Sequence, residues 1–322
     1  MGHFSVKSKI KLDDIELNAK IEESDYATIT PEGTFVQLQY EEDEDQGNKY
    51  EVKPGIWSIQ KSRGALILDK ASFVSDAILD SFVSTKEITD KIDCFFRNLH
   101  VYKKFGIEVP KRGILLYGPA GSGKTTTLVK VSNTYSQDGK TAIIIWSTDK
   151  FEAYHVKDFV KTFEYKGVEK VILVVEDIGG IEMDERKHPS DSSLLSLLDN
   201  KEKIFKIPIL ILATTNFIEV FLGNLTNRPD RFDDKIEVGL PTPEHRESLF
   251  KFFAKDEMPQ DILDIIKSNK CKEFSPAHLR EVVIRTAIYE KDMKTVIDEV
   301  HEDIEKYKKS FQKKNSKMGF DG

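Results

Sequence analysis

The chain has 322 residues, 39% apolar, 10% aromatic and 32% charged, and its 48 Lys and Arg against 55 Asp and Glu leave a net charge of −7. That length suffices for two or three packed units, and the acidic balance excludes a whole-surface basic footprint for nucleic acid while leaving a local patch open. The two cysteines, Cys94 and Cys271, stand far apart and outside any CxxC or Cys/His array, which argues against a disulfide scaffold and a structural zinc site.

The apolar runs, of which Ala142–Trp146 and Ile209–Ala213 are among the longest, reach about five residues, against the roughly 20 that a membrane span needs. The opening MGHFSVKSK has no apolar stretch of the kind a secretory signal carries. A soluble, cytoplasmic protein is expected.

Residues 1–75 form the first region, more acidic than the rest, with the run Glu41–Asp45 at its centre. Thr34–Tyr40, Ile56–Gln60 and Ala65–Leu68 read as short β stretches separated by turn residues such as Gly47-Asn48 and Pro54-Gly55. The prediction is a small β-rich module whose acidic loop suits docking of a substrate or partner. From residue 76 the pattern is helical, with Ile78, Leu79, Phe82, Ile88, Ile92, Phe95, Phe96 and Leu99 at three- and four-residue spacing.

Five short apolar runs follow: Gly113–Tyr117, Ala142–Trp146, Val171–Val175, Ile209–Ala213 and Lys235–Val238. The first four are nearly continuous Ile, Leu and Val, as strands buried on both faces require. The intervening segments are long enough for crossover helices, so residues 76–240 read as an α/β unit with a parallel sheet. After Pro241 the pattern is all helical, with helices over Glu244–Phe253 and Asp261–Lys267. A third is opened by Ser275-Pro276, and a fourth begins near Lys294. This gives a helical unit over 241–312 and a basic flexible tail over 313–322.

The chemistry concentrates after the first of the apolar strands. Gly118, Pro119, Ala120, Gly121, Ser122, Gly123, Lys124 and Thr125 fit GxxxxGK[ST], between a strand and a helical stretch, Thr126–Tyr135. Glycines let the backbone N–H groups curl inward as an anion nest, and the following helix turns its positive end to the same point. Lys124 adds a charge for the β- and γ-phosphates, Thr125 a hydroxyl for Mg²⁺, and Thr126 lies in the first turn beyond. The strand Val171–Val175 ends in Glu176 and Asp177. In P-loop enzymes the usual order is Asp then Glu; here Glu176 takes the metal role and Asp177 the water-activating role. Ile209–Asn216 is a second strand with a polar end, whose Asn216 amide suits orientation of the lytic water. Arg228 and Arg231, within Asn227-Arg-Pro-Asp-Arg-Phe-Asp233, are fork donors suited to charge developing on a transferred phosphoryl group. His301-Glu302 begins like HExxH, but Glu305 stands where the second histidine would be.

Together these residues resemble an AAA-family (AAA+) ATPase: Gly113–Thr125, the Glu176-Asp177 strand end, Ala213-Thr-Thr-Asn216 and Arg228-Pro-Asp-Arg-Phe-Asp233 occur in that family's order, over roughly residues 73–290. Within the family, the approach Phe95-Phe-Arg-Asn-Leu…Tyr102-Lys-Lys-Phe-Gly-Ile107…Lys111-Arg-Gly and the reversed Glu-Asp pair are similar to the mitochondrial AAA translocase of the Rieske iron–sulfur protein. The resemblance implies a P-loop fold with a five-stranded sheet ordered 5-1-4-3-2, a helical lid, and a homo-oligomeric ring, usually a hexamer. It implies ATP and Mg²⁺, with Lys124, Thr125, Glu176, Asp177 and Asn216 acting in cis and Arg228 and Arg231 in trans. It also implies a pore aromatic after the second strand, for which Tyr154 is the first candidate and Phe151 the second. Ile181–Ser193 is the counterpart of a second pore loop. Phe274–Arg280 resembles the family's second sensor, with Ala277 in place of an arginine and Arg280 nearby. The expected function is ATP-driven remodelling, unfolding or disassembly of a protein. The alternatives are a nucleic-acid motor or loader using the basic tail, or a slowly hydrolysing ATP-gated scaffold.

Overall fold

The computed structural model describes residues 6–12, 15–21, 50–62, 65–71, 83–147, 163–165, 167–178, 207–216, 218, 232–255 and 258–318. The chain divides into two compact units: the first holds the sheet, and the second gathers Gly118–Lys124 with the chain from Glu237 onward.

The first unit is built on a seven-stranded sheet. Four of its strands are β6 (Lys111–Tyr117), β7 (Thr141–Ser147), β9 (Lys170–Glu176) and β10 (Ile209–Thr215). These coincide with the predicted apolar runs to within two residues at either end. All seven positions of β10 are buried, and it pairs in parallel with β6 on one side and β9 on the other. A strand flanked on both sides and covered on both faces has no position for a charge, which is why its sequence reads as an unbroken apolar run. β9 pairs in parallel with β7 in turn. With β11 (Asp234–Glu237) the order is β11-β6-β10-β9-β7, the expected 5-1-4-3-2.

Two further strands extend that core. β4 (Gly55–Ser62) pairs in parallel with β7, and β5 (Ala65–Lys70) pairs antiparallel with β4 at the sheet edge. The sheet thus has seven strands where five were expected, and the compositional boundary near residue 75 does not coincide with its edge. The reason is physical: β7 offers an open row of backbone groups, and Gly55–Ser58 satisfies them against Ala142–Ile145. Trp57, Ile59 and Trp146 are buried at this edge. Two small pairs complete the strands, β1 (Val6–Leu12) against β2 (Ile15–Ile21), and β3 (Tyr50–Val52) against β8 (Phe163–Tyr165). The expected strand Thr34–Tyr40 lies outside the described residues.

Helix α1 (Val83–Arg97) buries Ile88, Ile92 and Phe95. The short α2 (Leu99–Lys104) follows it, and α3 (Lys124–Ser136) continues directly from the glycine-rich turn. Tyr135 of α3 donates its hydroxyl to Asp93 Oδ1 of α1 at 2.7 Å.

The second unit is helical: α4 (Pro243–Ala254), α5 (Gln260–Lys267), α6 (Pro276–Tyr289) and α7 (Met293–Met318). Leu249, Phe250, Ile266, Phe274, Leu279 and Val296 lie at its centre. Ser275 caps α6 with Pro276 at the first helical position, as predicted, and His278 completes a capping box. α7 runs on to Met318, past the expected boundary at residue 312; Lys, Gln and Met are good helix formers, and the basic stretch propagates the helix.

Candidate functional site

The parallel neighbours β6, β10 and β9 end at one edge of the sheet, where Gly118, Asn216 and Glu176-Asp177 emerge. In open α/β sheets this carboxyl edge is where ligands bind.

Three glycines of the turn after β6 adopt left-handed backbone: Gly118 (φ 151°), Gly121 (φ 73°) and Gly123 (φ 102°). Space is as restrictive as torsion. A Cβ at Gly118 would lie 2.2 Å from the Val238 carbonyl oxygen, and one at Gly121 2.9 Å from Ser275 Oγ. The Ser122 amide closes a tight turn onto Pro119 O at 3.3 Å. Lys124 is buried, and its ammonium donates to Gly118 O at 2.8 Å and Pro119 O at 2.9 Å. Its charge is thereby held across the turn. Ser122 Oγ is buried with no hydrogen-bond partner among the described residues. An orphaned hydroxyl, a buried ammonium and a left-handed glycine backbone fit the phosphates of a nucleotide, because each gains an anionic acceptor there. Thr125 lies exposed at the start of α3, beside half-buried Thr126. A threonine hydroxyl and a Glu176 carboxylate are hard oxygen donors of the kind Mg²⁺ prefers.

The β9 exit is built with care. Asp177 is a non-glycine residue with φ 49°, a costly conformation that persists only where its surroundings impose it. Thr214 and Thr215 impose it here. Asp177 N–H donates to Thr214 Oγ1 at 3.0 Å, Ile178 N–H to Thr214 O at 2.8 Å, and Thr215 Oγ1 to Ile178 O at 2.8 Å. Asn216 Nδ2 donates to Asp177 Oδ1 at 3.4 Å. The amide of Asn216 and the carboxylate of Asp177 are thus brought together, as the strand ends suggested. Burial, and then the neighbouring Asp177 charge, push the Glu176 carboxyl above its ordinary value. Thr214 and Thr215 were missed in the sequence, where they read as the tail of an apolar strand; two consecutive threonines before Asn216 were the available signal.

In the helical unit, Ala277 N–H donates to Gly121 O at 3.4 Å, and Ser275 and Ala277 pack against Gly121. The first turn of α6 therefore fastens to the glycine turn itself, and Ser275 was another residue whose role here the sequence hid behind its capping function. Arg280 is exposed. Arg228, Arg231, Tyr154, Phe151 and the stretch 181–193 lie outside the described residues. No helix among the described residues is long and apolar enough to cross a membrane.

Residues 114–240 match the ATPase family associated with various cellular activities (AAA). It is 25% identical over 264 residues to the proteasome-activating nucleotidase of Saccharolobus solfataricus, covering 73% of this chain and 66% of that protein. It is 28% identical over 254 residues to the ATP-dependent zinc metalloprotease FtsH 2 of Salinibacter ruber, covering 73% of this chain and 35% of that protein. A similar likeness, 26% over 220 residues, holds for FtsH 1 of Alkaliphilus metalliredigens, covering 63% of this chain and 36% of that protein. The chain thus spans about two thirds of the length of the archaeal relative and about a third of the bacterial ones.

Proposed function

We propose that this protein is a Mg²⁺-dependent ATPase that works as a homo-oligomeric ring, six-membered as the family resemblance implies, to remodel or unfold a protein substrate. The observation that carries the nucleotide reading is the glycine turn, with three left-handed glycines and the buried Lys124 ammonium held over two of its carbonyls.

The chain's own residues then divide the work. Lys124 and the amides of residues 118–125 hold the β- and γ-phosphates and neutralise charge as the terminal bond breaks. Thr125 and Glu176 would hold Mg²⁺, which when bound supplies Lewis-acid charge to the phosphate oxygens. Asp177, its amide fixed by Thr214, accepts the proton of the attacking water at a carboxylate oxygen, and Asn216 orients that water. Arg228 and Arg231 reach the γ-phosphate of the neighbouring subunit. A protein substrate is favoured over nucleic acid because the relatives' names place the domain beside a proteasome and a protease. Tyr154, with Phe151 as the second candidate, is the pore aromatic of this reading. The segment 1–75 contributes a docking surface for the substrate, residues 241–312 act as a lid, and residues 313–322 as a basic tail. The reversed Glu176-Asp177 order supports a likeness to the Rieske-protein translocase within the family. Two widely separated free cysteines suit a reducing, cytoplasmic setting.

The test is steady-state ATP turnover against protein concentration, with the Lys124→Ala variant alongside. A specific rate that rises with concentration and an ATP affinity abolished in Lys124→Ala are expected. Unchanged affinity in Lys124→Ala would sink the assignment. Stimulation by single-stranded DNA would move the substrate to nucleic acid, and binding without turnover would make the protein an ATP-gated scaffold.

A further inference from the structure

β9 leaves the sheet through a turn that β10 builds. The parallel ladder between them ends at the pair Val175–Ala213, whereas the ladder of β9 with β7 runs one residue further, to Glu176–Ser147. Beyond those pairs, threonine hydroxyls take over part of the ladder. Asp177 N–H donates to Thr214 Oγ1 at 3.0 Å, and Thr215 Oγ1 donates to Ile178 O at 2.8 Å. Ile178 N–H keeps a backbone acceptor, Thr214 O at 2.8 Å. Both threonines are buried, and their own backbones pair with Leu116 and Tyr117 at the end of β6. They are held from the β6 side, so the β9 exit adapts to them.

This turn sorts two neighbouring residues. Asp177, at φ 49°, is exposed, and Ile178 beside it is buried. Asn216 Nδ2 lies 3.4 Å from Asp177 Oδ1, so the carboxylate stands at the surface next to the amide. A left-handed backbone is costly for any residue with a Cβ. Aspartate and asparagine bear it better than others, because a short polar side chain can bond locally. Glutamate lacks that relief. The usual Asp-Glu order would put glutamate at the left-handed position, and the Glu176-Asp177 order puts aspartate there.

We propose that Thr214 is a positioning residue for hydrolysis, holding Asp177 in the left-handed turn that keeps its carboxylate beside Asn216, and that the reversed Glu176-Asp177 order is fitted to this turn. The inference rests on the proposed role of Asp177 as acceptor of the water's proton. A general base works within hydrogen-bond reach of the proton it takes, about 2.6–3.2 Å. Misplacement of a catalytic group by about 1 Å costs on the order of 100-fold in rate. Thr214 acts through Asp177 and not on the phosphates, so its loss belongs to kcat and leaves ATP affinity alone.

The experiment measures kcat, KM and ATP affinity of the full-length protein carrying Thr214→Val, which keeps the strand preference of threonine but removes the acceptor oxygen. A kcat lower by about tenfold to 100-fold, with ATP affinity within about twofold, is expected. Thr214→Ser restores an oxygen and should bring kcat back to within about threefold of the parent. Equal kcat in the valine and serine variants, or an equal loss of ATP affinity in Thr214→Val, would make the threonine merely structural and overturn the proposal. Asp177→Asn is the reference, because asparagine tolerates the same backbone but its amide is no base. Loss of turnover in Asp177→Asn with parental kcat in Thr214→Val overturns this inference alone. Parental turnover in Asp177→Asn removes the role of Asp177 and this inference with it. If Thr214→Val does not fold, the exchanged pair Glu176→Asp with Asp177→Glu tests the same fit. A kcat at least tenfold below the parent, roughly, is expected there, and one equal to the parent or above it overturns the proposal.

Discussion

The sheet and the helical unit bury comparable side chains but close their cores by different means. In the sheet, β6, β9 and β10 satisfy their backbone groups in parallel ladders and present buried aliphatic side chains along most of their length. The helical unit leaves helix ends to be satisfied, and polar side chains do it. Arg246 is 3% exposed and donates to the carbonyls of Ile266, Lys267, Ser268 and Pro241 at 2.6–3.1 Å. Burial works against its charge, and the negative end of α5 answers with oxygen acceptors instead of a carboxylate. Thr242 caps α4, Ser275 and His278 cap α6, and Lys255 and Glu290 end those helices in left-handed conformations. The difference teaches that stability in the sheet resides in area, whereas in the helical unit it depends on a few hydrogen-bonding groups, one of them the His278 imidazole, whose pKa burial lowers.

Substitutions can break that contrast. The largest effect is expected from Leu212→Ala at the fully buried centre of β10, a loss of about 2–5 kcal/mol from lost burial and the cavity left behind. Both tryptophans, Trp57 and Trp146, lie in the sheet unit, so their fluorescence should report an earlier denaturant midpoint. A midpoint within error of the parent would show that the strand is not the centre of the core.

Next comes Arg246→Met, which strands the last carbonyls of α5 and should cost about 2 kcal/mol. Amide exchange in the helical unit, residues 243–289, should quicken by roughly 30-fold, while tryptophan fluorescence shows little change. Equal destabilisation by both probes would abolish the distinction between the units. Ser275→Ala removes the α6 cap for about 1 kcal/mol, and because Ser275 also packs on Gly121 it should weaken ATP binding. Unaltered affinity would reduce Ser275 to a cap.

The smallest effect concerns pH. His278 Nδ1 accepts the Ser275 N–H at 3.1 Å, so the imidazole must be neutral there, and burial lowers its pKa below 6.5. The unfolded chain binds the proton more readily, so this contribution is complete above pH 6.5 and declines as pH falls through the folded-state value. Thermal melting of the helical unit should weaken on acidification below that pH, and His278→Gln should flatten the dependence. A parallel slope in both proteins would assign the acid sensitivity to other groups.

Much of the site was legible because its information is local. Gly118–Thr125 is one contiguous turn between a strand and a helix, and Glu176-Asp177 and Asn216 mark the ends of apolar runs. β1 escaped notice although Lys7, Lys9 and Lys11 alternate with Val6, Ile10 and Leu12, since the strand forms only by pairing with β2. β4 and β5 were visible as β stretches, but nothing local shows that β4 lies beside β7, some 85 residues further along the chain.

What the sequence by itself determined, then, is which groups exist and at which strand ends they stand: the glycine turn, the two carboxylates and the asparagine. Hydrophobic periodicity and a short motif suffice for that, because both act between near neighbours. Only the tertiary structure decided how those groups are held. Thr214 fixes the left-handed Asp177 from 37 residues away, and Asp234 meets Arg112 across 122 residues and Lys91 across 143. Such contacts arise where the folded sheet brings distant backbones within hydrogen-bond range, and no pattern along the chain encodes their geometry.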